Sequence, residues 1–183
     1  MIRRILLWLC LLLILPAQAA AIRVVDDAGQ THELTQPPQR IVSLTPHLTE
    51  LLFAVGAGAQ LAGADSASDY PHAAQALPRV GDYSRVNFER ILALKPDLVV
   101  VWVGGNRAAD IHGLKKMGLP VLHTQAIRLD DVARLLRLIG RASGHAGQGD
   151  AAARDFSARL DALQVRAARQ PPRERGPRPR PAV

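Results

Sequence analysis

R-I-V-S-L-T-P-H-L-T-E-L-L-F-A-V-G (40–56) and R-V-G-D-Y-S-R-V-N-F-E-R-I-L-A-L-K-P-D-L-V-V-V-W-V-G-G-N (79–106) are the two stretches on which the fold turns. In the first, Arg40 to Leu44 reads as a buried-type strand. Thr45 then stands at an N-cap position with Pro46 at the first helical residue, where a missing N–H costs nothing. Leu48, Leu51, Leu52 and Val55 recur at helical spacing, and Gly56 closes the helix. In the second, Asn87 caps a helix whose apolar face is Phe88, Ile91, Leu92 and Leu94. Lys95-Pro96-Asp97 ends it, because proline disfavours helix at the residue before it. Leu98 to Val103 is apolar throughout, as expected of a strand covered on both faces in a parallel sheet.

Outward from these blocks the alternation continues. Leu61–Ala64 reads as a short strand, Pro71 opens a short helix ending near Leu77, and Gly104-Gly105-Asn106 leads into a helix stopped by Gly118. Pro120–Thr124 is a further strand, and Leu129–Arg141 a helix with Val132, Leu135, Leu136 and Ile139 on one side. Strands alternating with helices predict an α/β lobe with a doubly wound, mostly parallel sheet and right-handed crossovers. Ile22 to Leu34 reads as a hairpin turned at Gly29, joined to the lobe by Gln36-Pro37-Pro38-Gln39. Asp150–Ala168 is a longer amphipathic helix with Phe156, Leu160, Leu163 and Ala167 in register.

The two ends differ in character from this body. Arg3 and Arg4, the apolar run Ile5–Leu15, Pro16 and Ala17-Gln18-Ala19 form the pattern of a secretory signal peptide cleaved near Ala19. The apolar run is too short to span a bilayer, so stable membrane insertion is not expected. Cys10, the single cysteine, falls inside that run, leaving the exported chain without a disulfide or thiolate site. Gln170–Val183 is a Pro/Arg tail unable to form a core. The formal charge of +7 is concentrated at these ends, whereas residues 20–165 carry 15 basic and 15 acidic side chains. A nucleic-acid partner is therefore not expected. The expected organisation is a signal peptide (1–19), a hairpin and linker (20–39), an α/β lobe (40–149), a helix (150–168) and a tail (169–183).

No catalytic constellation emerges. Val55-Gly56-Ala57-Gly58-Ala59-Gln60-Leu61 has Leu61 where a dinucleotide loop needs its third glycine, and it follows a helix rather than a strand. Six histidines are scattered, and only His47 and Glu50 share a helical spacing that suits a metal. An exported metal-dependent α/β enzyme using that pair is the competing reading. The serines lack a nucleophile-elbow pattern. The aromatic residues are more informative, because Tyr70, Tyr83 and Trp102 fall near strand ends. In open α/β sheets ligands bind beyond the carboxyl ends of the strands. Tyr83 and Trp102 are read as ligand contacts and Tyr70 as packing. Gly104 and Gly105 leave the backbone open to close approach, and Asn106 is expected to cap the helix that follows.

The two blocks, together with S-D-Y-P (68–71), resemble the iron/cobalamin-type periplasmic binding proteins of ABC importers over residues 40–168. Trp102 followed by Gly104-Gly105-Asn106 resembles the cobalamin-binding branch. The resemblance implies the amino-terminal lobe of a class III periplasmic binding protein, with residues 150–168 as the helix bridging to a second lobe. It implies a corrinoid as transported ligand rather than a cofactor, with Tyr83 and Trp102 at positions that line the ligand cleft; Gly104, Gly105 and Asn106 join them as ligand-binding candidates by their place just after the Leu98–Val103 strand. It also implies that Glu89 docks onto the membrane permease. Ala67 departs from the pattern, since cobalamin binders often carry an aromatic residue there, and this leaves haem or a ferric siderophore as alternatives. The second departure is that the Pro/Arg tail stands where the second lobe would begin. Ligand binding weaker than micromolar and an uncovered apolar face on the bridging helix are the corresponding expectations.

Overall fold

The computed structural model describes residues 21–82 and 84–169. The signal-peptide pattern, Tyr83 and the Pro/Arg tail lie outside the described residues. An antiparallel hairpin of β1 (Ile22–Val25) and β2 (Thr31–Leu34) precedes the lobe. Gly29 adopts φ 76°, the left-handed conformation its turn requires. The main sheet comprises β3 (Ile41–Ser43), β4 (Leu61–Ala64), β5 (Leu98–Trp102) and β6 (Val121–Thr124). Its order is β4-β3-β5-β6 and every pairing is parallel.

The helices are α1 (Pro46–Ala54), α2 (Phe88–Ala93), α3 (Ala108–Lys116), α4 (Asp130–Ala142) and α5 (Ala146–Ala168). Alternation along the strands sends side chains to two separate cores. Ile41, Leu98, Val100 and Leu122 pack with Leu48 and Leu52 of α1, Leu135 and Ile139 of α4, and Ala153 of α5. Val42, Val99, Val101 and Val121 pack with Ile91 of α2 and with Ile111 and Leu114 of α3. The unbroken apolar run of β5 follows from this, because both faces of the strand are covered. The chain is thus a doubly wound α/β lobe. After β3 it moves to β4 on one side, then returns across β3 to β5 on the other. The boundary between β3 and β5 is the topological switch point.

Local rules account for most element ends. Asn87 caps α2 by accepting a hydrogen bond from the Arg90 N–H at 2.9 Å. Gly56 and Gly118, at φ 86° and 75°, follow α1 and α3. The long helix begins at Ala146, four residues ahead of the segment that periodicity marks. Gly147 and Gly149 obscure that start, since glycine weakens a helix in isolation. The structure uses Gly149 for contact instead. A Cβ added there would meet the Leu136 carbonyl oxygen at 2.7 Å and the Gly140 Cα at 3.0 Å. The α4–α5 crossing therefore rests on two glycines. Gly149→Val is expected to force the helices apart and cost about 1–3 kcal/mol, read as a lower denaturant midpoint.

Beyond this crossing α5 leaves the lobe. Phe156 and Leu160 are half-buried, whereas residues 161–169 are all exposed, Leu163 and Val165 included. The in-register apolar face expected of this helix is present, and its distal part is uncovered. No helix among the described residues is long and apolar enough to cross a membrane.

Candidate ligand site at the switch point

The carboxyl ends of β3, β4 and β5 converge on a cavity of about 270 Å³. Leu44, Thr45 and His47 come from the β3–α1 junction, and Asp65 and Ala67 from the segment after β4. Trp102 closes β5, with Gly105 and Asn106 behind it. Ala67, the position lacking the aromatic residue of the cobalamin pattern, is therefore part of the cavity wall.

Asn106 holds the floor together. Its Oδ1 accepts from the Trp102 N–H at 2.8 Å, and its Nδ2 donates to the Leu44 carbonyl at 3.0 Å. The side chain thus ties the ends of β3 and β5 across the switch point. This corrects the expectation of a helix cap: the residue at the N-cap of α3 is Arg107, whose side chain makes no capping bond. Asn106 is buried because both ends of its amide find backbone partners inside the sheet. Gly104 and Gly105 also serve a different neighbour from the one anticipated. A Cβ on Gly104 would lie 2.9 Å from Trp102 Nε1, and one on Gly105 would collide with the same indole. The close approach permitted by the glycines is made by Trp102 itself. They fix the ring over the end of its own strand.

Two polar atoms at this place are unpaired. Thr45 Oγ1 and Trp102 Nε1 are buried without a hydrogen-bond partner among the described residues. Thr45 sits at the N-cap of α1, but its side chain makes no capping bond. Each such group costs about 1–3 kcal/mol unless a partner arrives. His47 sits edge-on to Trp102, with ring centroids 5.1 Å apart and an interplanar angle of 88°. Burial lowers the His47 pKa, so its imidazole is neutral at pH 7. Burial also raises the carboxyl of Asp65, against a hydrogen bond from the Ala67 N–H, and the charge of Asp82 adds to the rise.

His47 and Glu50 do not share this site. Glu50 lines a separate, largely apolar groove of about 760 Å³, where α1 and α4 meet Phe156 and Arg159 of α5. Among the described residues no three His, Cys, Asp or Glu side chains form a group that could hold a metal ion. Tyr70 is 68% exposed at the same groove, so it does not pack against a loop as the sequence suggests. Glu89 is exposed in the first turn of α2, beside a concavity of about 610 Å³ that also takes in Arg85, Arg90 and Arg107. Sequence reasoning missed Thr45 as an unpaired polar group, His47 as the neighbour of Trp102, and an apolar fringe of Val103, Ile127 and Leu129. Those three follow β5 and β6 at the same end of the sheet and stay exposed, Ile127 at 81%. Apolar side chains in a loop just past a strand end were the available cue.

Residues 41–176 match the periplasmic binding protein family, and the chain belongs to that family. Among curated relatives it is 38% identical over 131 residues to a vitamin B12-binding protein of Vibrio parahaemolyticus, covering 72% of this chain and 48% of the relative. It is 41% identical over 127 residues to a vitamin B12-binding protein of Pectobacterium atrosepticum, covering 69% and 46%. The chain spans about half the length of the curated relatives it matches. Among solved structures, the periplasmic vitamin B12 binding protein BtuF of Vibrio cholerae superposes with a TM-score of 0.70 at 37% identity, covering 74% of this chain and 53% of that one. The periplasmic heme-binding protein RhuT of Roseiflexus gives a TM-score of 0.68 at 30% identity, covering 73% and 52%. The fold is that of one half of these proteins, and family and relatives alike are binding proteins rather than enzymes.

Proposed function

We propose that the chain is a solute-binding component of an ABC importer that takes cobalamin or a related corrinoid at the switch-point cavity. The observation that carries this reading is the cavity beside Trp102, with its fixed indole and two buried polar atoms that have no partner among the described residues. A flat aromatic wall with few polar groups suits a large planar ligand. The vitamin B12-binding relatives support the corrinoid over other planar ligands. Gly104, Gly105 and Asn106 act by holding Trp102 and the floor, and the sequence reading of Tyr83 as a further ligand contact is kept as part of the proposal. Haem is the second reading, favoured by the likeness to a heme-binding protein at 30% identity.

The cavity of about 270 Å³ is smaller than the roughly 300–1,000 Å³ typical of sites that enclose a drug-sized molecule. A corrinoid is larger still, so most of its surface stays in water and affinity is expected to be weaker than micromolar. The signal-peptide pattern at residues 1–19 supports export to the periplasm. Exposed Glu89 supports docking onto a permease, since an exposed carboxylate on a helix offers a charged partner a point of orientation. Isothermal titration with cyanocobalamin, with haemin in parallel, tests the assignment. Trp102→Ala is expected to weaken corrinoid binding by about 2 kcal/mol, roughly thirty-fold. Unchanged affinity in that variant would move the site elsewhere.

A further inference from the structure

We propose that His47 is an axial ligand for the metal of a tetrapyrrole seated against Trp102, one imidazole nitrogen replacing a labile water on that metal. This rests on the binding function proposed above and adds a coordination bond to it. His47 lies in the second position of α1, in the wall of the cavity that Trp102 also lines. Its ring plane stands at 88° to the indole. A macrocycle stacked parallel to the indole would therefore meet an imidazole perpendicular to itself, which is how an axial imidazole approaches a metal.

The electronic state suits the role, because a neutral ring keeps a free lone pair. Burial is the one influence acting on the His47 pKa, and no hydrogen bond from the described residues contributes to it. The chemistry also explains why one histidine suffices. A free divalent ion needs several protein ligands, and no group of three forms among the described residues. A tetrapyrrole metal brings four in-plane nitrogens and needs only an axial partner. In the exchange, a nitrogen–metal bond forms, the metal–water bond breaks and water leaves, with no change of oxidation state. Cobalt in a corrin and iron in a porphyrin share this chemistry.

The test uses the full chain and three probes: aquacobalamin, whose axial water is labile, cyanocobalamin, whose axial positions are filled, and haemin. Absorption spectra report coordination, and calorimetry reports binding. Aquacobalamin bands should shift saturably with the wild-type chain, while cyanocobalamin binds without a shift. His47→Gln should abolish the shift and lower the apparent affinity for aquacobalamin at least about tenfold more than that for cyanocobalamin. Circular dichroism would verify that the variant is folded. A shift seen with haemin alone, and lost in His47→Gln, would support the inference and assign the metal as iron. Binding of aquacobalamin and haemin with unchanged spectra, or a shift that persists in His47→Gln, would overturn the coordination and leave the binding function standing. Absence of calorimetric binding for all three probes would overturn both.

Discussion

Asp26→Ala is expected to destabilise the fold by about 3–5 kcal/mol, the range seen when a buried charge network loses one member. Asp26 is buried at the end of β1, and its carboxylate collects five hydrogen bonds. Oδ1 accepts from the Ala28 and Gln30 N–H groups at 3.0 and 2.8 Å. Oδ2 meets His32 Nε2 at 2.9 Å, His123 Nδ1 at 2.7 Å and the His123 N–H at 3.1 Å. One carboxylate therefore closes the hairpin and fastens it to β6, the edge strand of the main sheet. Next to it Asp27 pairs with Arg134 of α4, and its other oxygen accepts from the Gln125 N–H at 2.6 Å. Removing Asp26 leaves two buried imidazoles facing an empty site. Burial alone would raise the Asp26 pKa, but the hydrogen bonds from His32 and His123, then those of the His123 and Gln30 backbone, outweigh it and hold the group at about 2.

That shift carries a pH dependence. The folded-state pKa of about 2 lies below the usual 3.8, so the ionised group stabilises the fold fully above pH 4. The contribution, on the order of 2 kcal/mol, disappears as pH falls through about 2. Asp26→Asn should remove this part of the acid slope. Chemical denaturation of wild type and variant between pH 7 and 2 reads the difference. Equal slopes in the two proteins would contradict the assignment.

Asn106→Ala is expected to cost about 2–4 kcal/mol, because it strands the Trp102 N–H and the Leu44 carbonyl in the floor of the site. Asn106→Asp separates the two bonds. It keeps an acceptor for the Trp102 N–H but sets a buried carboxylate against the Leu44 carbonyl, so it should be no more stable than the alanine variant. Both should weaken corrinoid binding beyond the loss of stability, since the β3–β5 tie positions Trp102. Thermal melts beside calorimetric titration measure the two effects. An Asn106→Asp protein as stable as wild type would show that the donor half of the clasp carries nothing.

The elements that were legible in sequence are those set by short-range rules. The run Leu98–Trp102 announces a strand covered on both faces, and Asn87 announces a helix start three residues before the N–H it caps. Asn106 looked like the same signal, yet it is spent across 62 residues on Leu44. Its role depends on which strand lies beside β5, and no local pattern encodes that. The Asp26 network was illegible for the same reason, since His123 is 97 residues away and read alone as one scattered histidine. Gly149 misled in the opposite direction. The expected helix started just after it, at Asp150, whereas α5 runs through it from Ala146, and a side chain there would disrupt the contact with Leu136 and Gly140. Trp102 was found from its place at a strand end, while its neighbour His47 was assigned to Glu50 by helical spacing and belongs to the indole instead.

The claim that the switch-point cavity beside Trp102 is a corrinoid site is tested most directly by the fluorescence of that residue. In a chain lacking residues 1–19, Trp102 is the only tryptophan. Cyanocobalamin should quench its emission saturably after correction for absorbed light, with a midpoint above the micromolar range that matches the calorimetric one. Attenuation that never saturates, or calorimetric binding that leaves the Trp102 emission unchanged, would contradict it.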